Sequence, residues 1–276
     1  MFFDVNFVVT KGACNIPMHS QNSLTLSLID CPKGSILPVL PKQAASRMPS
    51  HTYAHSPSMP PIPVGTQLSS EGIELCVVGN LRIPSDPHAV TAPLLQANTP
   101  ISAGTSTFSL HKEGVSLAWI TLSDKGAQGV RQDTAGPMIP ECIAQALPLC
   151  LSQGFLLPDD PFALRALLTE CALTNHYDII ITSGGTGITQ RDTTPEATMK
   201  VLDTHLPGFT HAMMAHSLSK TPYAMLSRAC AGIIGTTLVI NLPGSRKAVL
   251  ENLEVLLPAL GHTLAKLHND PSDCGG

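Results

Sequence analysis

From residue 115 onward, short apolar runs alternate with helix-start signals, and this alternation restricts the possible folds more than any other feature. VSLAWITLSD (115–124), GFLLPDD (154–160) and YDIIITSGG (177–185) read as buried strands ending in polar tips. GIIGTTLVINLPGS (232–245) reads as a strand pair, or as one strand with its lead-in. Helices are expected between them. AGPMIPECIAQALPLCLSQ (135–153) is the first, with Pro148 kinking it or ending it early. Asp160-Pro161 supplies an N-cap and a first-turn proline for PFALRALLTECAL (161–173), and Thr194-Pro195 repeats that start. GFTHAMMAHSL (208–218) and a long amphipathic segment over 245–268, bent at Pro258, complete the series. Strands alternating with helices predict an α/β fold: a doubly wound, mostly parallel sheet flanked by helices over about 115–268.

The first 110 residues have another texture. They carry 13 of the 24 prolines, and their five basic and five acidic side chains cancel, so the net charge of −4 belongs to the remainder. VNFVV (5–9), LTLSLI (24–29) and IELCVVG (73–79) are β-like runs bounded by turn signals. A Pro/Ser/His-rich stretch over 42–65 reads as a linker or long loop in which His51 and His55 face solvent. The expected organisation is a small β-rich or irregular region over 1–110, then an α/β domain over 111–276.

Composition excludes several classes. No apolar run approaches the ~18 residues of a membrane span, and the N-terminus lacks the basic start of a signal peptide. A net charge of −4 argues against a nucleic-acid face. None of the eight cysteines forms a C-x-x-C pair, so they read as reduced, buried thiols of a cytoplasmic protein rather than zinc ligands.

In doubly wound sheets, ligands sit beyond the carboxyl ends of the strands. Four polar tips fall there: Ser123-Asp124, Pro158-Asp159-Asp160, 183–192, and Asn241-Leu242-Pro243-Gly244-Ser245. In SGGTGITQRD, Gly184, Gly185 and Gly187 permit a tight turn with exposed amides, and Ser183 and Thr186 add hydroxyls. Such a loop holds a phosphate or is a plain strand-to-helix turn. It is neither a Walker A loop nor G-x-G-x-x-G. Asp192 lies five residues beyond the last glycine. A carboxylate beside a phosphate implies an intervening cation, for which Mg²⁺ with Asp159 as second carboxylate suits the donor set. Alternatively, Arg191 neutralises Asp192 as a surface pair. Paired aspartates beside a phosphate cradle suggest transfer at phosphorus.

ITLSDKGAQGVRQDTAGP, LLPDD, IIITSGGTGITQRDTTPEAT, LPGF, SLSKTPYAMLSR and LVINLPGS, in this order between about 115 and 267, resemble the molybdopterin adenylyltransferase family of MogA/MoaB type. The same module is the G domain of plant and animal molybdenum-cofactor proteins. The resemblance implies an α/β fold, a homotrimer, and transfer of AMP from ATP to the phosphate of molybdopterin with Mg²⁺, ahead of a molybdate-insertion enzyme. It implies that Asp159 and Asp192 are the catalytic and metal-holding carboxylates. Ser183, Gly184, Gly185, Thr186 and Gly187 would hold the phosphate end of the ligand. Ser217, Ser227, Arg228, Pro243, Gly244 and Ser245 would line the site. Asp124 and Asp133 match recurrent acidic positions, as site residues or loop braces. A catalytically silent molybdopterin carrier or a scaffold protein is the alternative. IPVGTQLSSEGIELCVVG (62–79) resembles a piece of the MOSC module.

Overall fold

A computed structural model describes residues 23–41, 54–56, 62–83 and 89–268. They fall into two compact units, one within Asn15–Glu113 and one from Gly114 onward.

The first unit is a closed barrel. Its strands are β1 (Ser23–Leu28), β2 (Ile36–Pro41), β3 (Ala54–Ser56), β4 (Gln67–Ser70), β5 (Ile73–Ile83), β6 (Val90–Ala97) and β7 (Gly104–His111). They pair in the order β1-β3-β2-β6-β5-β4-β7, and β7 returns antiparallel to β1. Alternation decides what lies inside: in β1, Leu24, Leu26 and Leu28 are buried while Ser23 and Thr25 face out. Among the described residues, closure gives each strand a neighbour on both sides. Part of the stretch expected as a linker is structured, because β3 lies within it, parallel to β2. His55 therefore sits on a strand rather than in a loop. VNFVV and His51 lie outside the described residues.

The second unit has the expected doubly wound sheet. Its strands are β8 (Val115–Leu122), β9 (Leu149–Leu157), β10 (Ile179–Ser183), β11 (Thr204–His205), β12 (Ala231–Ile234) and β13 (Thr237–Leu242), in the order β11-β12-β13-β10-β8-β9. β13, β10, β8 and β9 run parallel, and β12 and β11 add an antiparallel edge. GIIGTTLVINLPGS is thus a strand pair. All five residues of β10 are buried, as a central strand covered on both faces requires.

Among the described residues, six α-helices flank this sheet: α1 (Asp124–Ala127), α2 (Met138–Ile143), α3 (Pro161–Thr169), α4 (Thr194–Met199), α5 (Pro207–Leu218) and α6 (Arg246–Leu267). On α6, Val249, Leu253, Leu256, Leu260 and Leu264 recur at helical spacing and join a core with Ile139, Ile143, Met213, Ile179 and Ile181. Pro258 lies inside α6 on its exposed face, where the missing amide bond leaves a carbonyl open to water. The helix expected over 135–153 is much shorter. It ends at Ile143, and β9 begins at Leu149, directly after Pro148. Proline stops the helix, and LCL then serves a parallel strand that needs apolar residues on both faces.

Among the described residues the cysteines are free thiols, four of them buried. Burial lifts the Cys76 thiol to about 11 and the Cys230 thiol to about 12, so neither ionises at neutral pH. No helix there is long and apolar enough to cross a membrane.

Trp119, on β8, packs over Gly154 of β9, where an added Cβ would come within 2.0 Å of the indole ring. Gly154→Ala is therefore expected to overpack this contact and lower unfolding stability by about 1–3 kcal/mol. Denaturant unfolding followed through Trp119, the only tryptophan, measures it. An unchanged midpoint with unchanged slope contradicts the packing account.

Candidate functional site

Parallel pairing fixes where the polar tips emerge. Ser183 lies in register with Thr121 on β8 and Leu242 on β13, and Leu122 with Leu157 on β9. Asp124, Asp159, the glycine loop and Pro243-Gly244 therefore leave the sheet at one edge, the ligand side of a doubly wound fold.

The loop from Ser183 is tight because its neighbours leave no room. Gly184 has φ +103, and an added Cβ would lie 2.4 Å from the Leu122 carbonyl oxygen. Its N–H donates to Leu242 O at 3.1 Å, tying the loop to the β13 tip. Gly244 packs on it, with a Cβ position 3.1 Å from Gly184 Cα. Gly185 has φ +63, and its Cβ position is 2.3 Å from Thr194 Oγ1 and 3.7 Å from Asp159 Oδ1. At Gly187 the Cβ position is 2.9 Å from Asp192 Oδ2. Both carboxylates thus lie beside the same loop, in space that side chains there would occupy.

Asp159 and Asp124 brace each other across β9 and β8. The Asp159 amide donates to Asp124 Oδ1 at 3.0 Å, and the Asp124 amide to Asp159 Oδ2 at 3.3 Å. Burial, then repulsion from Asp192, raises the Asp159 carboxyl above its ordinary value. Asp192 is shifted the other way. The Thr189 hydroxyl donates to its Oδ2 at 2.6 Å and the Thr189 amide at 2.9 Å. That hydroxyl bond is the largest cause of a lowered value, which outweighs desolvation with help from the Thr189 and Gly187 amides and the Arg228 charge.

The cations are distributed differently from the surface pair considered above. Arg191 pairs with Asp124 rather than with Asp192. Arg228 grips the loop: its Nε donates to Gly187 O at 2.6 Å, Nη2 to Asp192 O, and Nη1 pairs with Glu196. Its backbone N–H also donates to Thr186 O at 2.9 Å. Its guanidinium donors are engaged by protein, so it holds the loop in shape. The Ser227 hydroxyl accepts from the Ala229 amide at 3.5 Å, beside this clamp.

Three of the expected residues make contacts within the fold. Asp133 is a loop brace: Oδ1 accepts the Ala135 and Gly136 amides at 3.0 Å each, and Oδ2 accepts the Thr121 hydroxyl at 2.6 Å. Ser217, on α5, donates to Asn252 Oδ1 on α6 at 3.4 Å. Ser245 caps α6 by accepting the Ala248 amide at 3.2 Å. Below the loop, Asn241 fixes β13 to its surroundings through the Thr182 and Thr198 hydroxyls at 2.9 and 3.0 Å.

Among the described residues no group of three or more His, Cys, Asp or Glu side chains is arranged to hold a metal ion. Two carboxylates fit Mg²⁺ nonetheless, because this ion keeps waters and takes its remaining oxygens from substrate phosphates. The raised Asp159 and its repulsion by Asp192 describe a site that gains from a cation.

Residues 118–262 match a family model described as "Probable molybdopterin binding domain". A gephyrin of Dictyostelium discoideum is 38% identical over 161 residues, 55% of this chain and 22% of that protein, so the chain spans less than a quarter of that relative's length. A molybdopterin adenylyltransferase of Helicobacter pylori is 37% identical over 150 residues, 53% of this chain and 84% of that protein. The crystal structure of the molybdopterin biosynthesis enzyme MoaB from Thermus thermophilus aligns with a TM-score of 0.52 and 42% identity, covering 56% of this chain and 96% of its own.

Arg228→Lys keeps a charge but loses the planar fork that reaches two carbonyls at once. Faster hydrogen exchange at the Gly187 and Thr189 amides is expected, with the melting temperature little changed. Exchange at the wild-type rate would show that Arg228 does not hold the loop.

Proposed function

Because this chain belongs to the family of the probable molybdopterin-binding domain, which serves molybdenum cofactor biosynthesis, we propose that it transfers AMP from ATP to the phosphate of molybdopterin. The products are adenylylated molybdopterin and pyrophosphate. The observation that carries the reading is the placement of Asp159 and Asp192 beside one glycine loop at the ligand edge of the sheet. The name borne by the Helicobacter pylori relative supports it.

A phosphate oxygen of molybdopterin attacks the α-phosphorus of ATP. A new P–O bond forms as the bond to the β-phosphate breaks, and pyrophosphate leaves with that electron pair. The Gly184 amide is committed to Leu242 and the Gly187 amide to Asp192. The Gly185 and Thr186 amides are therefore the loop donors assigned to the molybdopterin phosphate, with the Ser183 and Thr186 hydroxyls beside them. Asp159 and Asp192 would hold Mg²⁺, which supplies charge neutralisation on the reacting phosphates. Asp124 keeps Asp159 in place, and Arg228 keeps the loop in place. Pro243 and Gly244 wall the loop from the β13 side. Ser217 and Ser227 take the remaining lining roles.

The partners that follow are molybdopterin, ATP and a downstream molybdate-insertion enzyme, with a homotrimer as the assembly and the cytoplasm as the compartment.

Asp192→Asn removes a charge made useful in the transition state and spares the loop amides. It is expected to lower kcat at least about 100-fold, the scale of losing one preorganised electrostatic contact. Molybdopterin affinity, measured by fluorescence titration, should stay within about twofold. Near-normal adenylylation by this variant rejects the assignment.

A further inference from the structure

The Asp192 carboxylate is held from within its own loop, by the Gly187 amide and by two donors of Thr189. A carboxylate turns in a broad, nearly two-fold well about its last bond, so its direction must be imposed from outside. Here two donors from one residue converge on one oxygen: the Thr189 hydroxyl at 2.6 Å and the Thr189 amide at 2.9 Å, both to Oδ2. The backbone closes the same turn, with the Asp192 amide donating to Thr189 O at 3.0 Å. Gly187 leaves the space in which the carboxylate lies, since a Cβ there would stand 2.9 Å from Oδ2.

Asp159 offers a contrast. Its Oδ2 accepts a single, longer bond from the Asp124 amide at 3.3 Å. The two acids beside the loop are thus held by different means, one by a neighbouring strand tip and one by a hydroxyl within the loop itself.

We propose that Thr189 is the positioning residue for Asp192, its hydroxyl fixing the carboxylate's rotation so that Oδ1 is presented to the reacting phosphates and their cation. The inference rests on the proposed adenylyl transfer. The Thr189 side chain is exposed and supports no packing, so its hydroxyl has no core to stabilise. A purely structural role predicts no kinetic consequence from replacing it with a side chain of the same shape.

Thr189→Val keeps the shape and the amide bond and removes the hydroxyl, whereas Thr189→Ser restores the hydroxyl. The valine variant is expected to lose about tenfold in kcat, the scale of one hydrogen bond to a charged acceptor. It should need more Mg²⁺ for half-maximal rate, with KM for molybdopterin and the melting temperature unchanged. The serine variant should recover to within about twofold. Crystal structures of both variants supply a readout independent of turnover. In the valine variant the Asp192 carboxylate should be rotated or split between orientations, and in the serine variant it should superpose on the wild type. An unmoved carboxylate in the valine variant, a moved one with full turnover, or a serine variant as slow as valine overturns the proposal. A wild-type protein that releases no pyrophosphate instead rejects the adenylyl-transfer reading, and the carboxylate orientations then decide the role of Thr189.

Discussion

Asp159 and Asp192 repel each other beside one glycine loop, and the architecture from Gly114 onward serves to keep them there. Burial and that repulsion lift the Asp159 carboxyl, while Thr189 and its neighbours hold Asp192 ionised. Two carboxylates whose surroundings push them in opposite directions are in tension unless a cation joins them. The remaining charges near the loop make sense against that tension. Arg228 is spent on loop carbonyls and Glu196, and Arg191 is spent on Asp124. Neither neutralises the pair by direct contact with both carboxylates, so the pair keeps negative charge that a divalent cation would offset.

The fold holds this arrangement with rigid parts. β10 is buried along its whole length and delivers Ser183 and the loop between β8 and β13. The Leu122 carbonyl and Gly244 press on Gly184 from either side, so the loop begins from a backbone that glycine alone accepts without strain. Asn241 and its two threonine partners, buried beneath the loop, tie β13 to β10 and α4. A satisfied polar network of this kind resists rearrangement, and the acids gain fixed positions from it.

Much of this was legible in the sequence, for identifiable reasons. Apolar runs ending in Ser-Gly-Gly or Leu-Pro-Gly mark strand tips because only turn residues fit there. Asp-Pro before PFALRALL marks a helix start because both residues act locally: Asp160 caps α3, as that spacing requires. Less legible was anything set by a partner far along the chain. LCLSQ reads as the end of a helix until β8 is known to lie beside it as a parallel neighbour. The pairing of Arg191 with Asp124 spans 67 residues, and adjacency in sequence pointed to Asp192 instead. Thr189 did leave a signal, a threonine three residues before an aspartate in a turn-forming loop, which is a local side-chain-to-backbone pattern. Barrel closure of the N-terminal unit through β7 and β1 was hidden for the same reason, since the strands pair across some eighty residues, as Ser23 does with Ser109.

Pyrophosphate release tests the central claim most directly. The purified protein is incubated with molybdopterin and Mg·ATP, and pyrophosphate and adenylylated molybdopterin are quantified together. The account predicts equimolar formation of both, dependent on molybdopterin and abolished by chelating the divalent ion. Tight molybdopterin binding without pyrophosphate, or equal turnover after chelation, would contradict it.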